Sequence, residues 1–562
     1  MADLALLWHM HQPDYRHPET GQFVLPWVLL HALKDYTDMA GHLERHPGVH
    51  CTVNFVPVLL EQIEDYCAQL HNRQWRDTLL RILDAPSSQA LSEADRAWLL
   101  DNAFHCNAPT MLEPFAPYRR LRDLANLLRE QDGDALHYLA DHYFTDLATW
   151  YLLAWSGETL RRAGGVIPEL MAKGSEFDQQ DRQALLGEVT RILGDLIPRY
   201  RALAESGQIE LSCTPSHHPL APLLLDFHVA REAMPECSLP SSPDYPGGRS
   251  RVAAQLDAGR SSHQRRFGKP PSGLWPAEGA LSTAFLKQIA EAGFVWTASG
   301  QGVLRHSAGD AADVGVPWQA PEGTPADITL FFRNESLSDQ IGFEYAKWHG
   351  RDAAEHFMHE ANALHEQDPR NLIPVFLDGE NAWEYYPYNG WYFFSNLYTA
   401  LEQSDTIRTV TLSQAAAAHR DRRVRLPRLT AGSWVFGTLS TWIGSPDKNR
   451  AWELLCTAKQ CTDRVLDSGR LSAERRAQVL QCLSGCESSD WFWWLGDYNS
   501  PHSVASFDLL FRDNLKALYR LLELPVPASL EHPISHGGAS DSAGTMRRAV
   551  APEIPEAPEG GP

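Results

Sequence analysis

LIPVFLDGENAWEYYPYNGW, residues 372–391, opens as an apolar run and turns polar at Asp378 with no alternation on the way. A half-buried strand alternates, whereas a strand covered on both faces reads as one continuous apolar stretch. The same pattern recurs along the chain. LALLW (4–8) precedes HMHQP, VHCTVNFV (49–56) precedes a proline, and QIEL (208–211) precedes SCTPSHHP. SGLW (272–275) precedes PAEG, GFVW (293–296) precedes TASG, and ITLFF (328–332) precedes RNES. Helical stretches lie between these runs, so the order predicts parallel strands with crossovers, in an α/β barrel or a doubly wound sheet. In both folds ligands bind beyond the C-terminal strand ends, where each polar segment falls.

Two regions depart from this rhythm. Between about 60 and 200, WRDTLLRILDA, YRRLRDLANLLRE and DRQALLGEVTRILGDLIPRYRALAESG carry helical spacing and predict a helical insertion in a catalytic domain spanning 1–425. NRAWELLCTAKQCTDRVLD, SAERRAQVLQCLSG and SFDLLFRDNLKALYRLLEL place a second helical domain at 426–530. Residues 531–562 are dominated by Gly, Pro, Ala and Glu, have little to bury, and are expected to form a disordered tail.

The formal charge is −22, from 49 basic and 71 acidic residues, which opposes nucleic acid and anionic membranes as partners. The chain holds 18 Trp, 17 Tyr and 21 Phe, more than a core needs, and aromatic faces suit sugar rings. The first apolar run is short and lacks a basic flank, so it reads as a strand instead of a signal peptide. No stretch approaches a membrane span. Nine cysteines form no zinc framework and read as reduced thiols of a cytoplasmic protein.

Asp378 follows PVFL directly and is placed on the rim, with Glu380 on the same side two residues later. Glu278 in GLWPAEGALS also follows a strand; it reads as a reactive acid or as a first-turn helix acid favoured by the dipole. Retaining glycoside hydrolysis requires a carboxylate nucleophile and a carboxylic acid donor in an aromatic cleft, a requirement that two rim acids on different strands of one barrel can meet. His9 and His11 share one face of a strand end, and His217 and His218 follow another strand. Three readings stay open for them: hydrogen-bonded rim residues, metal ligands of a deacetylase- or mannosidase-like site completed by an Asp, and donors to sugar hydroxyls.

WHMHQP, GQIELSCTPSHHPLAPLL, GLWPAEGALS and LIPVFLDGENAWEYYPYNGWYFF resemble, in order, the motifs of glycoside hydrolase family 57. FFRNESLSDQIGFEY, GSWVFGTLSTWIGSPDKNRAW and DWFWWLGDYNS resemble the branch of amylopullulanases and related α-amylases. The resemblance covers residues 3 to 530. It implies a distorted parallel (β/α) barrel of about seven units, with the helical domain completing the cleft. It further implies retaining action on α-1,4-glucans or maltooligosaccharides, possible α-1,6 cleavage, and no cofactor or metal. By the same resemblance Glu278 is the nucleophile and Asp378 the general acid/base, while His9, His11, His218, Trp275, Trp383, Trp434, Trp442 and Asp490 bind substrate. A 4-α-glucanotransferase or branching enzyme would use the same two acids. The absence of the further domains of longer secreted relatives agrees with intracellular glucan turnover. Departures occur at Gly279, where a bulkier residue is usual and a looser wall is expected, at Ala298-Ser299-Gly300, and at Asn334.

Overall fold

The computed structural model describes residues 1–86, 91–131, 138–324 and 328–538. Its strands are β1 (Ala2–Met10), β2 (Cys51–Phe55), β3 (Ile209–Cys213), β4 (Gly273–Leu274), β5 (Trp296–Ser299), β6 (Trp318–Gln319), β7 (Thr329–Phe332), β8 (Leu372–Asp378), β9 (Ile407–Val410) and β10 (Val424–Arg425). They form one sheet in the order β10-β6-β7-β5-β4-β3-β2-β1-β8, with β9 paired to the first residues of β1. Every pairing is parallel except β6 with β7. The run from β8 to β7 is thus a seven-stranded parallel sheet, as expected. It is distorted because β7 pairs onward with β6 instead of meeting β8 in a ladder. That gap is bridged by the Asn334 N–H to Pro374 O (2.7 Å) and by Arg333 Nε to Phe376 O (2.9 Å).

Burial on two sides accounts for the unbroken apolar runs. Leu4, Leu6 and Trp8 of β1 and Ile373, Val375 and Leu377 of β8 join the large core beneath the helices. The alternate residues Ala5, Leu7, Leu372 and Phe376 meet Trp275, Trp296, Ala298 and Phe331 in a separate cluster inside the curl. Since successive strand residues point to opposite faces, His9 continues the inward set of β1, and Asp378 that of β8. The two are direct partners in the β1–β8 register.

Between β2 and β3 the chain is helical from Pro57 to Glu205 in several segments, the last of them Gln179–Glu205, which opens with an Asp178–Asp181 capping box. After β10 come helices Pro446–Asp467, Ala473–Cys486, Ser489–Trp494 and Pro501–Leu521. Each starts at a serine, Ser445, Ser472, Ser488 or Ser500, whose side chain accepts a first-turn N–H. This bundle is fixed to the barrel through the buried Glu487, which accepts from Arg251 Nε (2.7 Å), Tyr245 Oη (2.7 Å) and Gln255 Nε2 (2.6 Å). Residues 531–538, read from sequence as tail, are held: Ser535 is buried and accepts from the Gly496 N–H, and the Ile534 N–H donates to Asp508. The rest of that expectation, residues 539–562, lies outside the described residues. All nine cysteines are free thiols. No helix among the described residues is long and apolar enough to cross a membrane.

Candidate active site

A cavity of about 410 Å³ opens at the C-terminal ends of the strands. His9, His11, His218, Glu278, Asp378, Trp434 and Asp490 all line it, so most of the residues singled out from sequence converge there. They come from β1, β8, the loops after β3 and β4, the loop after β10, and the C-terminal bundle. Of the eight non-glycine residues with positive φ among the described residues, His218 (φ 55°), Glu278 (φ 58°) and Phe436 (φ 55°) lie on its wall. Such backbone is costly for residues with a Cβ and persists where the surroundings hold it.

Glu278 is held by three contacts. Its carbonyl accepts from the Trp434 N–H (3.1 Å), Oε2 accepts from Trp434 Nε1 (3.3 Å), and Oε1 faces Ser489 Oγ (3.3 Å). Burial, and then the negative charges of Asp490 and Asp378, push its carboxyl up to about 8 against the Trp434 and Ser489 donors. Asp378 accepts from Asn381 Nδ2 at 3.1 Å; burial raises it as well, opposed by Asn381, His11 and Arg333. Glu380 is buried, accepts the His11 N–H (3.2 Å) through Oε1, and is raised well above the usual carboxylate range by burial and by Asp378.

The histidines form a stack. His9 Nδ1 meets Asn54 Oδ1 (2.7 Å), and its Nε2 meets His218 Nε2 (3.2 Å). Burial and neighbouring His11 bring His9 down to about 3, and burial with both neighbours brings His218 well below its ordinary value, so both rings are neutral. Ser489 Oγ stands between His218 Nδ1 (2.8 Å) and Glu278 Oε1 and has one proton to give. It goes to Glu278 when that group is ionised, and to His218 when Glu278 carries its own proton. His11 Nε2 meets Asp490 Oδ1 at 2.9 Å. The nearest donor atoms of His11, His218 and Asp490 lie within 4.8 Å of one another, a set that could hold a cation. Two features work against the His9-centred metal site left open by the sequence: both His9 nitrogens are engaged, and the His11 and His218 rings stack face to face at 3.8 Å, so their lone pairs do not converge.

Three tryptophans expected to bind substrate are not on the wall. Trp275 and Trp442 are fully buried and Trp383 is 1% exposed. Trp275 lies inside the curl under Trp434 (ring centroids 5.1 Å) and beside His9 (6.0 Å). Trp383 points outward from the barrel, packs on Trp8 and Phe394, and donates to Gly379 O (2.8 Å). Trp442 packs behind Trp493. They support the residues that face the cavity. His217 is also turned away, bound to Ser216 and Gln481. Gly279 does not loosen the wall: at φ 57° a Cβ there would come within 3.2 Å of both Trp275 and Trp434. Ser299 Oγ, in the departing Ala298-Ser299-Gly300 stretch, holds that turn by donating to Gly279 O (2.6 Å). Asn334 caps helix Glu335–Asp339. Sequence reasoning missed Asn54, Ser489, Arg333, Trp493 and Trp494; the parity of β7 could have indicated Arg333, which follows the inward Phe331 by two.

The sequence profile of glycosyl hydrolase family 57 matches residues 5–428. The chain belongs to this family. It is therefore a glycoside hydrolase or transferase by membership. Solved structures of similar fold include the α-amylase AmyC from Thermotoga maritima (15% identity, TM-score 0.56, 93% of each chain covered). A GH57 branching enzyme from Thermococcus kodakaraensis also aligns (15% identity, TM-score 0.55, 92% of this chain and 90% of that one). A GH57-type branching enzyme from Pyrococcus horikoshii does so over 98% and 99% (16% identity, TM-score 0.54). At these identities the likeness establishes the fold. No curated protein sequence matches the chain significantly.

Proposed function

We propose that this family 57 member cleaves α-1,4-glucans with retention, with Glu278 as nucleophile and Asp378 as acid/base. The observation that carries the reading is that these two largely enclosed carboxyl groups, one from the turn after β4 and one from the end of β8, face one cavity and are both raised. The sugar class follows from the neighbours of similar fold, which are named as an α-amylase and branching enzymes.

Asp378 gives its proton to the departing glycosidic oxygen while Glu278 attacks the anomeric carbon; water then resolves the glycosyl-enzyme with Asp378 as base. The site must hold one proton between the pair at neutral pH. Placing it on Asp378 removes one of the two negative charges that add to burial in raising Glu278, and the donors Trp434 Nε1 and Ser489 Oγ favour the anionic nucleophile. Neutral His9 and His218 add no positive charge against an oxocarbenium-like transition state. An acceptor sugar in place of water would give transfer with the same residues. Incubation with amylose, pullulan and maltoheptaose, with Glu278→Gln as control, tests the reading. Shorter products formed only by the wild type are expected, and wild-type protein inert on all three would sink it.

A further inference from the structure

Phe436 combines three properties found together at no other described residue: it is a large apolar side chain 39% exposed, it holds a left-handed backbone at φ 55°, and it lines the cavity. Neither folding nor the chemistry of Glu278 and Asp378 uses it. Its loop is nevertheless firmly built. Ser433 Oγ donates to Thr438 O (2.7 Å), the Ser433 N–H closes on the same carbonyl (3.2 Å), and Trp434 ties the loop to Glu278. On its other side the loop lies against Gly302, where an added Cβ would come within 2.8 Å of Gly437. The Gly302 N–H donates to Glu335 Oε1 (3.0 Å), and Arg305, one turn further along the same helix, pairs with Glu335 Oε2 at 3.4 Å. An exposed aromatic face thus sits beside a half-exposed guanidinium–carboxylate pair at the wall of one cavity.

Resting on the α-glucan reading above, we infer that Phe436 and the Arg305–Glu335 pair form a sugar subsite at the mouth of the cavity. The phenyl ring packs on a pyranose face and the ion pair binds hydroxyls of a unit remote from the bond being broken. The strained conformation is what turns the ring toward substrate and away from the core. Binding energy gathered there is available only to chains long enough to reach it.

The test compares wild type with Phe436→Ala, Phe436→Trp and Phe436→Gly on maltotriose, maltoheptaose and amylose, with Tm measured for each. Phe436→Ala and Phe436→Gly are expected to lose about tenfold in kcat/KM on maltoheptaose, in line with about 1.4 kcal/mol per decade, and less than twofold on maltotriose. Phe436→Trp is expected to keep the preference for the longer chain. Glycine suits the left-handed backbone, so Phe436→Gly should match or exceed the wild-type Tm and shows that the loss is not one of folding. Active wild type with unchanged Phe436→Ala, an equal loss on both oligosaccharides, or a loss that tracks falling Tm across the variants would each overturn the subsite alone. Wild type inert on every glucan would remove the α-glucan reading and the subsite with it.

Discussion

Glu278→Gln is expected to abolish turnover and, above neutral pH, to leave the protein more stable than the wild type. The carboxyl stands at about 8 in the folded chain, raised by burial and then by Asp490 and Asp378 from its ordinary value of 4.5. A raised carboxylate means the folded state holds the proton more tightly than the unfolded one. Stability is then full below the unfolded value and falls as pH rises through the window between about 4.5 and 8. At about 1.4 kcal/mol per pH unit the gap amounts to at most about 5 kcal/mol. The Glu278 side chain keeps 14% exposure to the cavity, so water relieves part of this cost and about 2–3 kcal/mol is the figure to expect. Glutamine cannot ionise, can accept from Trp434 Nε1 and can donate to Ser489 Oγ, and so keeps the local contacts. For 562 residues the unfolding entropy is about 1.2 kcal/mol per kelvin, which converts the gain to about 2 °C in Tm. Calorimetry of both proteins at pH 5 and pH 8 checks this. Near-equal Tm at pH 5 and a higher variant Tm at pH 8 are expected, with activity down by about 10³-fold or more. A variant at or below wild type at pH 8, or a difference that does not change with pH, would refute the assignment of a raised Glu278.

Other outcomes follow from the same geometry. Asp378→Asn should lower kcat/KM on amylose by about 10²–10⁴-fold and remove the alkaline limb of the pH–rate profile, with far less effect on an aryl glycoside whose leaving group needs no proton; equal losses on both would count against the acid role. Glu487→Ala should destabilise the fold by about 3–5 kcal/mol, because it strips the buried Arg251 of its partner; denaturant titration measures it, and a change under about 1 kcal/mol would show that the pair does not hold bundle to barrel. Exhaustive chelation should leave activity on maltoheptaose unchanged; loss with recovery on adding a divalent cation would place a metal on His11, His218 and Asp490.

The strands were legible because a parallel sheet covered on both faces leaves an uninterrupted apolar run, and each of the seven runs named from sequence contains or borders a strand of the barrel. Parity within those runs was enough to send His9 and Asp378 to the mouth. Parity could not separate a tryptophan on the cavity wall from one beneath it. Trp275 and Trp434 both sit in aromatic motifs, yet Trp275 falls on the inward face of the barrel below the mouth, whereas Trp434 rides on a loop folded over Glu278. Trp383 misled for a related reason: the turn of Gly379 to Ala382 after Asp378 rotates it outward against Trp8.

By itself the sequence determined the local facts: which segments are strands, which ends are polar, and which acids stand at those ends. These depend on residues near one another in the chain. Only the tertiary structure decided which groups act on one another. Glu278 is raised because the fold buries it and brings against it Asp490, 212 positions away on the C-terminal bundle, and Asp378, from β8. His9 is neutral because the fold buries it and sets His11 beside it, against the hydrogen bond to Asn54. Charge and desolvation act through space over a few ångströms, and distance along the chain carries no information about them.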